Sequence, residues 1–290
     1  MKLAIGTANF LKKYSYKNKL IKKKELIKIL KFSLKNKIVN LDTAFSYDKF
    51  SILKNEVDFR KFKISTKINL SKKLLKKLDF EKKIFLNINK KLTLFKINNF
   101  DIFYIHNFDE INNIDLVKIK NIFLNLKKKN KIKKIGISIY DKTSLKKIKY
   151  FDCVDIIQVP INVVDTKFTS KNVLNFLKKK KIKIYARSIF LQGLLLDEIK
   201  SNQNKNLIYN QTLIDFKKWL KKHNISALNS CVSFIKNQKY LDGVVVGMEN
   251  YKQFIEILEH FKDKKKYDYP KRIYSLDKEI IDPRNWKRFK

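Results

Sequence analysis

Short apolar runs alternate with longer, lysine-rich amphipathic segments along the whole chain, and this alternation restricts the possible folds more than any other feature of the sequence. Apolar runs separated by helical segments are typical of buried parallel strands, because the connecting helices cover the sheet. The candidate strands are 3–7, 38–42, 62–67, 101–106, 133–138, 155–159, 182–187 and 243–247. Eight strands followed by helices predict an α/β fold, a (β/α)8 barrel of the TIM type.

The segments between the candidate strands have the apolar period of helices, and several begin with a Ser, Thr or Asn that can cap a helix. The predicted helices are 22–36, 71–92 with Ser71 as its cap, 112–130, 143–149, 169–177, 207–222, 226–237 and 251–261, with a loop at 202–206. No linker-like stretch interrupts this pattern. We therefore expect one barrel domain over residues 1–290 that ends in a short, irregular, basic tail.

The chain carries 67 Lys and Arg residues against 27 Asp and Glu, which gives a formal net charge of +40. Clustered basic residues would indicate nucleic-acid binding, but here the lysines are spread over every predicted helix. We interpret them as solvated helix faces in a chain of biased composition, and we expect no specific nucleic-acid ligand. A polyanion-binding protein is the alternative that the charge leaves open. In both cases the charge attracts anionic ligands toward the protein.

No apolar run approaches the roughly 18 residues that a membrane-spanning helix needs, and the N-terminal apolar stretch is too short for a signal peptide. Cys153 and Cys231 have neither the spacing of metal ligands nor that of a redox pair. We expect them to be reduced, packed thiols. The sequence therefore predicts a cytoplasmic protein with no membrane contact and no metal site.

Three successive candidate strands end in, or lead to, side chains that can carry acid–base chemistry. Asp42 ends the first of these strands, and Tyr47 follows it in a loop. Lys67 and His106 end the next two. Because the carboxyl ends of parallel strands meet at one face of a barrel, where active sites lie, we expect these four side chains to lie together.

Tyr47 is the candidate proton donor of this group. A phenol has a pKa of about 10, so it donates a proton poorly near neutral pH unless a nearby cation lowers that pKa. Lys67 is the candidate cation, and Asp42 would keep Lys67 charged and in place. Each residue alone has an ordinary structural explanation, such as a helix cap for Asp42, and only the combination indicates an active site.

The stretch Asp42-Thr43-Ala44-Phe45-Ser46-Tyr47, followed by Lys67 and then His106, resembles the aldo/keto reductases. The resemblance covers nearly the whole chain, from Ile5-Gly6-Thr7-Ala8 to Val246-Gly247-Met248-Glu249-Asn250. It implies a TIM barrel that transfers hydride between NADP(H) or NAD(H) and a carbonyl or alcohol. In the roles that it implies, Tyr47 is the general acid/base, Lys67 and Asp42 tune its acidity, and His106 orients the carbonyl oxygen of the substrate.

A Gly-x-Gly-x-x-Gly motif after a strand is the usual sequence signature of a nicotinamide-cofactor site, and this chain has no such motif. The family resemblance implies instead that the cofactor lies on the barrel. The cofactor-binding residues that it implies are Thr7 after the first strand, Ser138 and Gln158 at the carboxamide, Arg187 and Ser188 at the seventh strand, Gly193 at the pyrophosphate, and Gly247, Gln253 and Glu256 at the adenosine end.

A few positions depart from the family pattern. Arg187 falls where many members stack a Tyr on the nicotinamide, although a guanidinium can also stack on a flat ring. Gly247, Met248 and Gln253 replace the Lys and Arg that often hold a 2′-phosphate, although Lys252 lies nearby, so the choice between NADPH and NADH stays open. Asp48 replaces the usual Gly, and the segment 49–55 replaces a Glu-rich helix, so we expect a reshaped loop there.

Three functions are therefore considered from the sequence. The first is an NAD(P)-dependent oxidoreductase that interconverts an aldehyde, ketone or sugar with an alcohol. The second is a nicotinamide-binding sensor or subunit with little turnover, against which the four intact catalytic residue types argue. The third is a polyanion-binding protein that uses the positive charge. The oligomeric state is left open by the sequence.

Overall fold

Eight parallel strands form the centre of the protein in a computed structural model that describes residues 1–11, 20–47, 49–196 and 210–286. They pair in chain order, and the last strand pairs with the first, so that the sheet closes into a barrel. The strands are β1 (Lys2–Gly6), β2 (Asn40–Asp42), β3 (Lys63–Ile68), β4 (Phe100–Ile105), β5 (Ile132–Ser138), β6 (Ile156–Pro160), β7 (Lys183–Arg187) and β8 (Gly243–Val246). The predicted (β/α)8 barrel is confirmed.

Helices lie between the strands in the order that the sequence predicts. They are α1 (Lys23–Lys35), α2 (Lys72–Leu75), α3 (Phe80–Phe95), α4 (Asn113–Lys128), α5 (Lys171–Lys179), α6 (Gln211–His223), α7 (Ala227–Lys236), α8 (Tyr251–Lys262) and α9 (Lys278–Ile281). Shorter 3-10 helices span Lys49–Asn55, Phe59–Lys61, Phe108–Glu110, Lys142–Tyr150, Leu191–Gly193 and Lys271–Ile273. Among the helices of these described ranges, none is both long and apolar enough to cross a membrane.

The helix predicted over 71–92 is divided in two, which corrects the sequence prediction. Ser71 does cap the first piece, since its hydroxyl accepts a hydrogen bond from the Leu74 amide at 3.2 Å. That piece, α2, has only four residues, and its Leu74 and Leu75 are no more than half-buried against the core. Short helices depend on packing of this kind for their stability in water. The chain therefore leaves the helical path before α3, whose buried side chains include Ile84 and Ile88.

Other differences concern the predicted loops. The segment 143–149 is a 3-10 helix rather than an α-helix, and 49–55 likewise forms a 3-10 helix. Asp48, the loop predicted at 202–206 and the first residues of the helix predicted at 207–222 lie outside the described residues. The C-terminal segment is less irregular than predicted, because α9 forms within it and Trp286 donates a hydrogen bond to the Ile280 carbonyl at 3.2 Å.

Two tyrosine rings pack in the barrel interior against glycines on neighbouring strands, in a buried cluster with Ile102 and Ile156. Tyr104 of β4 pairs in register with Gly136 of β5, and a Cβ added to Gly136 would lie 2.2 Å from the Tyr104 ring. Tyr185 of β7 pairs with Gly243 of β8, where the corresponding distance is 2.7 Å. Residues in register share a face of the sheet, so these rings pack inside the barrel, beneath the carboxyl ends of the strands.

Candidate active site

A cavity opens at the carboxyl ends of the strands and is lined by residues of β1 to β8 and of the loops that follow them. It brings together twelve of the thirteen predicted site residues, which are Thr7, Asp42, Tyr47, Lys67, His106, Ser138, Gln158, Arg187, Ser188, Gly193, Gly247 and Gln253. Glu256 does not line the cavity. It lies one turn beyond Gln253 on α8, which is about 5 Å farther along the helix axis.

Asp42 is the centre of a buried network. The Lys67 ammonium donates a hydrogen bond to Asp42 Oδ1 and another, of 3.1 Å, to the Thr43 carbonyl. The Gln158 amide donates to Asp42 Oδ2 at 2.7 Å. All three of Asp42, Lys67 and Gln158 are buried. Both carboxylate oxygens are therefore engaged, and the network joins β2, β3 and β6 across the mouth of the barrel.

Burial shifts the acid–base properties of Lys67. It lowers the pKa of the Lys67 ammonium from its ordinary value of 10.5, and the negative charge of Asp42 opposes this shift. The positive charge of Arg187 lowers the pKa of Lys67 further. Lys67 is therefore a cation that gives up its proton more readily than a lysine in water does.

His106 is held as a neutral imidazole. Burial lowers its pKa from 6.5 to about 3, and the positive charges of Lys67 and Arg187 act in the same direction. Its backbone amide donates to the Ile68 carbonyl at 2.8 Å, which fixes the residue at the end of β4. Its ring meets the Tyr47 ring edge to face, with 6.2 Å between the ring centroids. At neutral pH one imidazole nitrogen thus carries a proton that can be donated in a hydrogen bond.

Tyr104 is a second phenol near Lys67, which the sequence analysis did not single out. Its ring centroid lies 5.5 Å from Lys67 Nζ. Burial, followed by the charge of Asp42, raises the pKa of Tyr104 well above 10. Tyr104 is fully buried, whereas Tyr47 is partly exposed at the cavity. The alternation of side chains along a strand places Tyr104 on the same face as His106, and this spacing is the signal that could have found it.

The sequence matches the model of the aldo/keto reductase family over residues 2–277. The chain belongs to the aldo/keto reductase family. Among solved structures, the thermostable aldo-keto reductase Tm1743, in complex with the inhibitor epalrestat, is similar with a TM-score of 0.66 and 16% identity, over 93% of this chain and 92% of that one. MGS-M4, an aldo-keto reductase from a Medee basin deep-sea metagenome library, is similar with a TM-score of 0.63 and 18% identity, over 93% and 88%. At these identities the two structures support the fold alone. A search of curated proteins finds no significant match.

Aldo/keto reductases generally use NAD(P)H, and the cavity has polar groups that fit such a ligand. The hydroxyls of Thr7 and Ser138 are buried and line the cavity, and no group of the described residues hydrogen-bonds to either. Buried polar atoms without partners are rare in proteins. Gly247 borders open space, since nothing lies within 4 Å of a Cβ added there. These residues are where an amide and a sugar–phosphate chain could bind.

The loop after β7 has an unusual backbone. Ser188, Leu191 and Gln192 have positive φ angles of 57°, 46° and 54°, and Gly193 has a φ of 93°. Left-handed backbone is unfavourable for residues with a Cβ and is concentrated at functional sites. The side-chain amide of Asn162, in the loop after β6, donates to the Ser188 carbonyl at 3.0 Å and so stabilises the start of the loop after β7. The loop therefore holds a costly conformation along one wall of the cavity.

The turn before α8, where the sequence analysis expects the adenosine end of the cofactor, is held by its own hydrogen bonds. Gln253 Oε1 accepts a hydrogen bond from the Glu249 amide at 2.7 Å, so this side chain caps the turn before α8. Asn250 Oδ1 accepts from the Gln253 amide at 2.8 Å. Glu249 also lines the cavity, as do Tyr140 and Asn9, and the sequence analysis named none of these three as site residues. They lie in loops, where no strand or helix period identifies which side chains point inward.

Proposed function

We propose that this aldo/keto reductase is an NAD(P)H-dependent oxidoreductase that interconverts a small aldehyde, ketone or sugar with an alcohol. The proposal depends above all on one observation. A partly exposed phenol, a neutral imidazole and a buried Lys–Asp pair line the same cavity as two unpartnered buried hydroxyls. The cytoplasmic location predicted from the sequence stays a prediction.

Tyr47 is the proposed proton donor. When a carbonyl is reduced, its carbon gains hydride and its oxygen gains a proton, and the bound nicotinamide supplies the hydride. Tyr47 gives its phenolic proton to the oxygen, and Lys67 stabilises the phenolate that remains. Asp42 keeps Lys67 oriented in the buried network. In the oxidative direction Tyr47 takes the proton back from the alcohol.

His106 is proposed to position the substrate. Because its pKa is about 3, it does not compete with Tyr47 as a proton donor near neutral pH. Its neutral N–H can donate a hydrogen bond to the carbonyl oxygen and polarise it. Ser138 and Gln158 would hold the nicotinamide amide, and Thr7, Ser188, Gly193 and Gly247 would contact the rest of the cofactor. Their positions around the cavity support these assignments.

The test is a fluorescence titration of the protein with NADPH and NADH separately, with Tyr47→Phe assayed beside the wild type on a panel of aldehydes. We expect saturable binding of a cofactor and a loss of turnover of about 10²- to 10⁴-fold in Tyr47→Phe. Tyr150→Phe, which removes a phenol away from the cavity, is the matched control. Binding without turnover in the wild type would favour a sensor, and binding of neither cofactor would reject the proposal. The tighter cofactor identifies the preference for NADPH or NADH.

A further inference from the structure

Arg187 ends β7 and lines the cavity beside the proposed nicotinamide site. Ser138 and Gln158, which would hold the carboxamide, are in register on β5 and β6, and Gln158 is in register with Tyr185 of β7. Side chains two residues apart on a strand share a face. Arg187 is therefore on the same face as the inward Tyr185 ring, one layer closer to the mouth of the barrel. A flat ring held by Ser138 and Gln158 would lie next to the Arg187 guanidinium.

The guanidinium of Arg187 is held against an aromatic ring. Its central carbon lies 3.8 Å from the centroid of the Tyr140 ring. Nη1 donates to Ser188 Oγ at 3.2 Å, and Nη2 makes a long contact of 3.4 Å with the Ile139 carbonyl. A guanidinium stacks well on flat rings. Because Tyr140 covers one face of the group, a planar ligand can stack only on the other face.

A second arginine fixes the Tyr140 ring. The guanidinium carbon of Arg284, in the C-terminal segment, lies 3.7 Å from the same ring centroid. Two guanidiniums at these distances cannot share one face of a ring, so Tyr140 lies between Arg187 and Arg284. Arg284 is held in turn by Asp282, through hydrogen bonds of 2.9 Å from Nε and 2.6 Å from Nη2. Its charge is thereby balanced, and its contribution is to orient the ring.

The charge of Arg187 is not balanced in this way. Among the described residues, Arg187 pairs with no carboxylate. The two aspartates nearest to this part of the cavity are both paired with lysines, Asp42 with Lys67 and Asp165 with Lys167. Each of these pairs is neutral as a whole, so Arg187 adds one net positive charge beside the proposed nicotinamide site.

The other groups of the cavity do not cancel this charge. His106 is neutral, with a pKa of about 3. Glu249 lies on the loop after β8, with Oε1 3.9 Å from a Cβ added to Gly193, which is toward the proposed pyrophosphate end. The positive charge of Arg187 contributes to the lowered pKa values of both His106 and Lys67. Its field therefore reaches the groups that act on the substrate.

A positive charge at this place distinguishes the two forms of a nicotinamide. The reduced ring is neutral, whereas the oxidised ring, which has given hydride to the carbonyl carbon, is a cation. Two like charges repel each other, and more strongly in a partly buried site than in water. A guanidinium against the ring therefore disfavours the oxidised cofactor, and no such repulsion acts on the reduced one.

We propose that Arg187 stacks on the nicotinamide and, through its charge, favours binding of the reduced cofactor over the oxidised one, with Tyr140 and Arg284 as positioning residues. This inference rests on the proposed reductase function and deepens it. In a mixture of the two forms the protein takes up the reduced cofactor, and the oxidised product leaves easily. The site is thereby suited to the reduction of carbonyl compounds rather than to the oxidation of alcohols.

The experiment is a calorimetric titration with each cofactor in its reduced and its oxidised form. NADPH is compared with NADP⁺, and NADH with NAD⁺, so that the two members of a pair share the same adenosine end. We expect the Kd of the oxidised member to be about 10- to 100-fold higher. The reduction potential of the bound cofactor should then be raised by roughly 30–60 mV, at about 30 mV per tenfold for a two-electron couple. Equal Kd values in the wild type would overturn the inference, while the reductase function would stand.

Arg187→Tyr separates the charge from the stacking, because it keeps a flat ring at the end of β7. We expect it to bind the oxidised cofactor about tenfold more tightly than the wild type does, and the reduced cofactor within a few-fold. Arg272→Gln, which removes the same charge from an exposed 3-10 helix, should leave both Kd values unchanged. An equal change in Arg272→Gln would assign the preference to the overall charge of the protein and overturn the proposal.

The positioning role is tested by rescue. Tyr140→Ala should reduce the ratio of the two Kd values and the shift in potential, and Tyr140→Phe, which keeps the ring, should retain both. ADP-ribose lacks the nicotinamide and should bind equally to the wild type, Arg187→Tyr and Tyr140→Ala. Weaker binding of ADP-ribose to Arg187→Tyr would place Arg187 at the phosphate chain, and the inference would fail. If the wild type bound none of the four cofactors, the reductase function itself would be rejected, whereas a ratio unchanged by Arg187→Tyr would reject the inference alone.

Discussion

Two Lys–Asp pairs lie near the carboxyl ends of the strands, and they differ mainly in the residues around them. Both members of the first pair are buried, whereas in the second the aspartate is buried and the lysine is half-buried. Lys67 pairs with Asp42, and Lys167 pairs with Asp165. Each ammonium lies over an aromatic ring, at 5.5 Å from the centroid of Tyr104 and 5.6 Å from that of Phe168. Burial lowers the pKa of both lysines. A buried ion pair is therefore not by itself the mark of an active site in this protein.

The difference lies in the partners beyond each pair. Asp42 and Lys67 come from separate strands and line the same cavity as Tyr47 and His106. The second pair lies within one loop after β6 and does not line the cavity. The Asp165 amide donates to Asn162 Oδ1 at 3.0 Å, and Asn162 supports the left-handed loop after β7. We therefore expect the first pair to take part in acid–base chemistry, and the second to stabilise the loop after β7 that forms one wall of the cavity.

The largest contrast is expected in turnover when each aspartate loses its charge. Asp42→Asn leaves Lys67 without its counter-charge in the cavity that Tyr47 also lines, and we expect kcat to fall at least about 100-fold. Asp165→Asn makes an equivalent change in the loop pair, and kcat should fall less than about tenfold. Both are measured at saturating cofactor on proteins whose circular dichroism is native. Equal losses in the two variants would remove the functional distinction between the pairs.

The next contrast is in stability, and it tests whether the loop pair is only structural. Burial raises the pKa of Asp165 and lowers that of Lys167, because removal from water disfavours the charged form of each group. Removing one partner of a buried pair costs about 3–5 kcal/mol, whereas replacing both is often close to neutral. We expect Lys167→Met to lower the free energy of unfolding by this amount, and Lys167→Met with Asp165→Leu to recover most of it. Urea denaturation gives both values.

A smaller effect is expected on the titration of His106, whose pKa is shifted by the charge of Lys67 in the first pair and not by Lys167 in the second. Its folded-state pKa of about 3 lies below the ordinary 6.5. Between these values the unfolded chain binds a proton that the native imidazole does not, so the native state loses stability as the pH falls from 6.5 toward 3. We expect His106→Gln to reduce this loss in urea denaturation at pH 4 to 7.

The same titration distinguishes the two lysines. Lys67→Met should raise the pKa of His106, measured by NMR, because it removes a positive charge that lowers that pKa. Lys167→Met should leave it unchanged, since Lys167 does not contribute to the His106 shift. A rise in both variants would mean that the loop pair also acts on the reaction centre.

The contrast between the pairs also explains how much could be predicted from the sequence. Asp42 and Lys67 were predicted because each ends a strand, and the closure of the barrel brings strand ends together whatever the details of the helices. Lys167 and Asp165 lie in a loop, where neither the strand period nor the helix period assigns a direction to a side chain. Lysine is also so common in this chain that no single one is informative.

The same reasoning accounts for what was missed around the cavity. Tyr140 lies in the loop after β5, and the guanidinium carbon of Arg284, in the C-terminal segment, lies 3.7 Å from the centroid of its ring. The two residues are far apart in sequence, and their contact depends on the path of the C-terminal segment, which has no repeating pattern of apolar residues. The helix over 71–92 was predicted as continuous because its apolar spacing persists, although the first turn, α2, buries none of its side chains completely. The periodicity of apolar residues identifies the apolar face of a helix, but it does not show whether another element packs against that face.

The smallest expected effect concerns Tyr104, the ring that lies below Lys67 of the first pair. Tyr104 is the phenol nearer to the barrel centre, and a proton donor there would make Tyr47 unnecessary. Burial raises the pKa of Tyr104 well above 10, however, and the charge of Asp42 raises it further, so its proton is held more tightly than that of a free phenol. Tyr104→Phe keeps the ring that fits against Gly136 and lies below Lys67. We expect kcat of Tyr104→Phe to stay within about threefold of the wild type. A change of that size corresponds to less free energy than one ordinary hydrogen bond contributes. A collapse comparable with that of Tyr47→Phe would place the proton donor inside the barrel, and the first Lys–Asp pair would then serve Tyr104 rather than the phenol at the cavity.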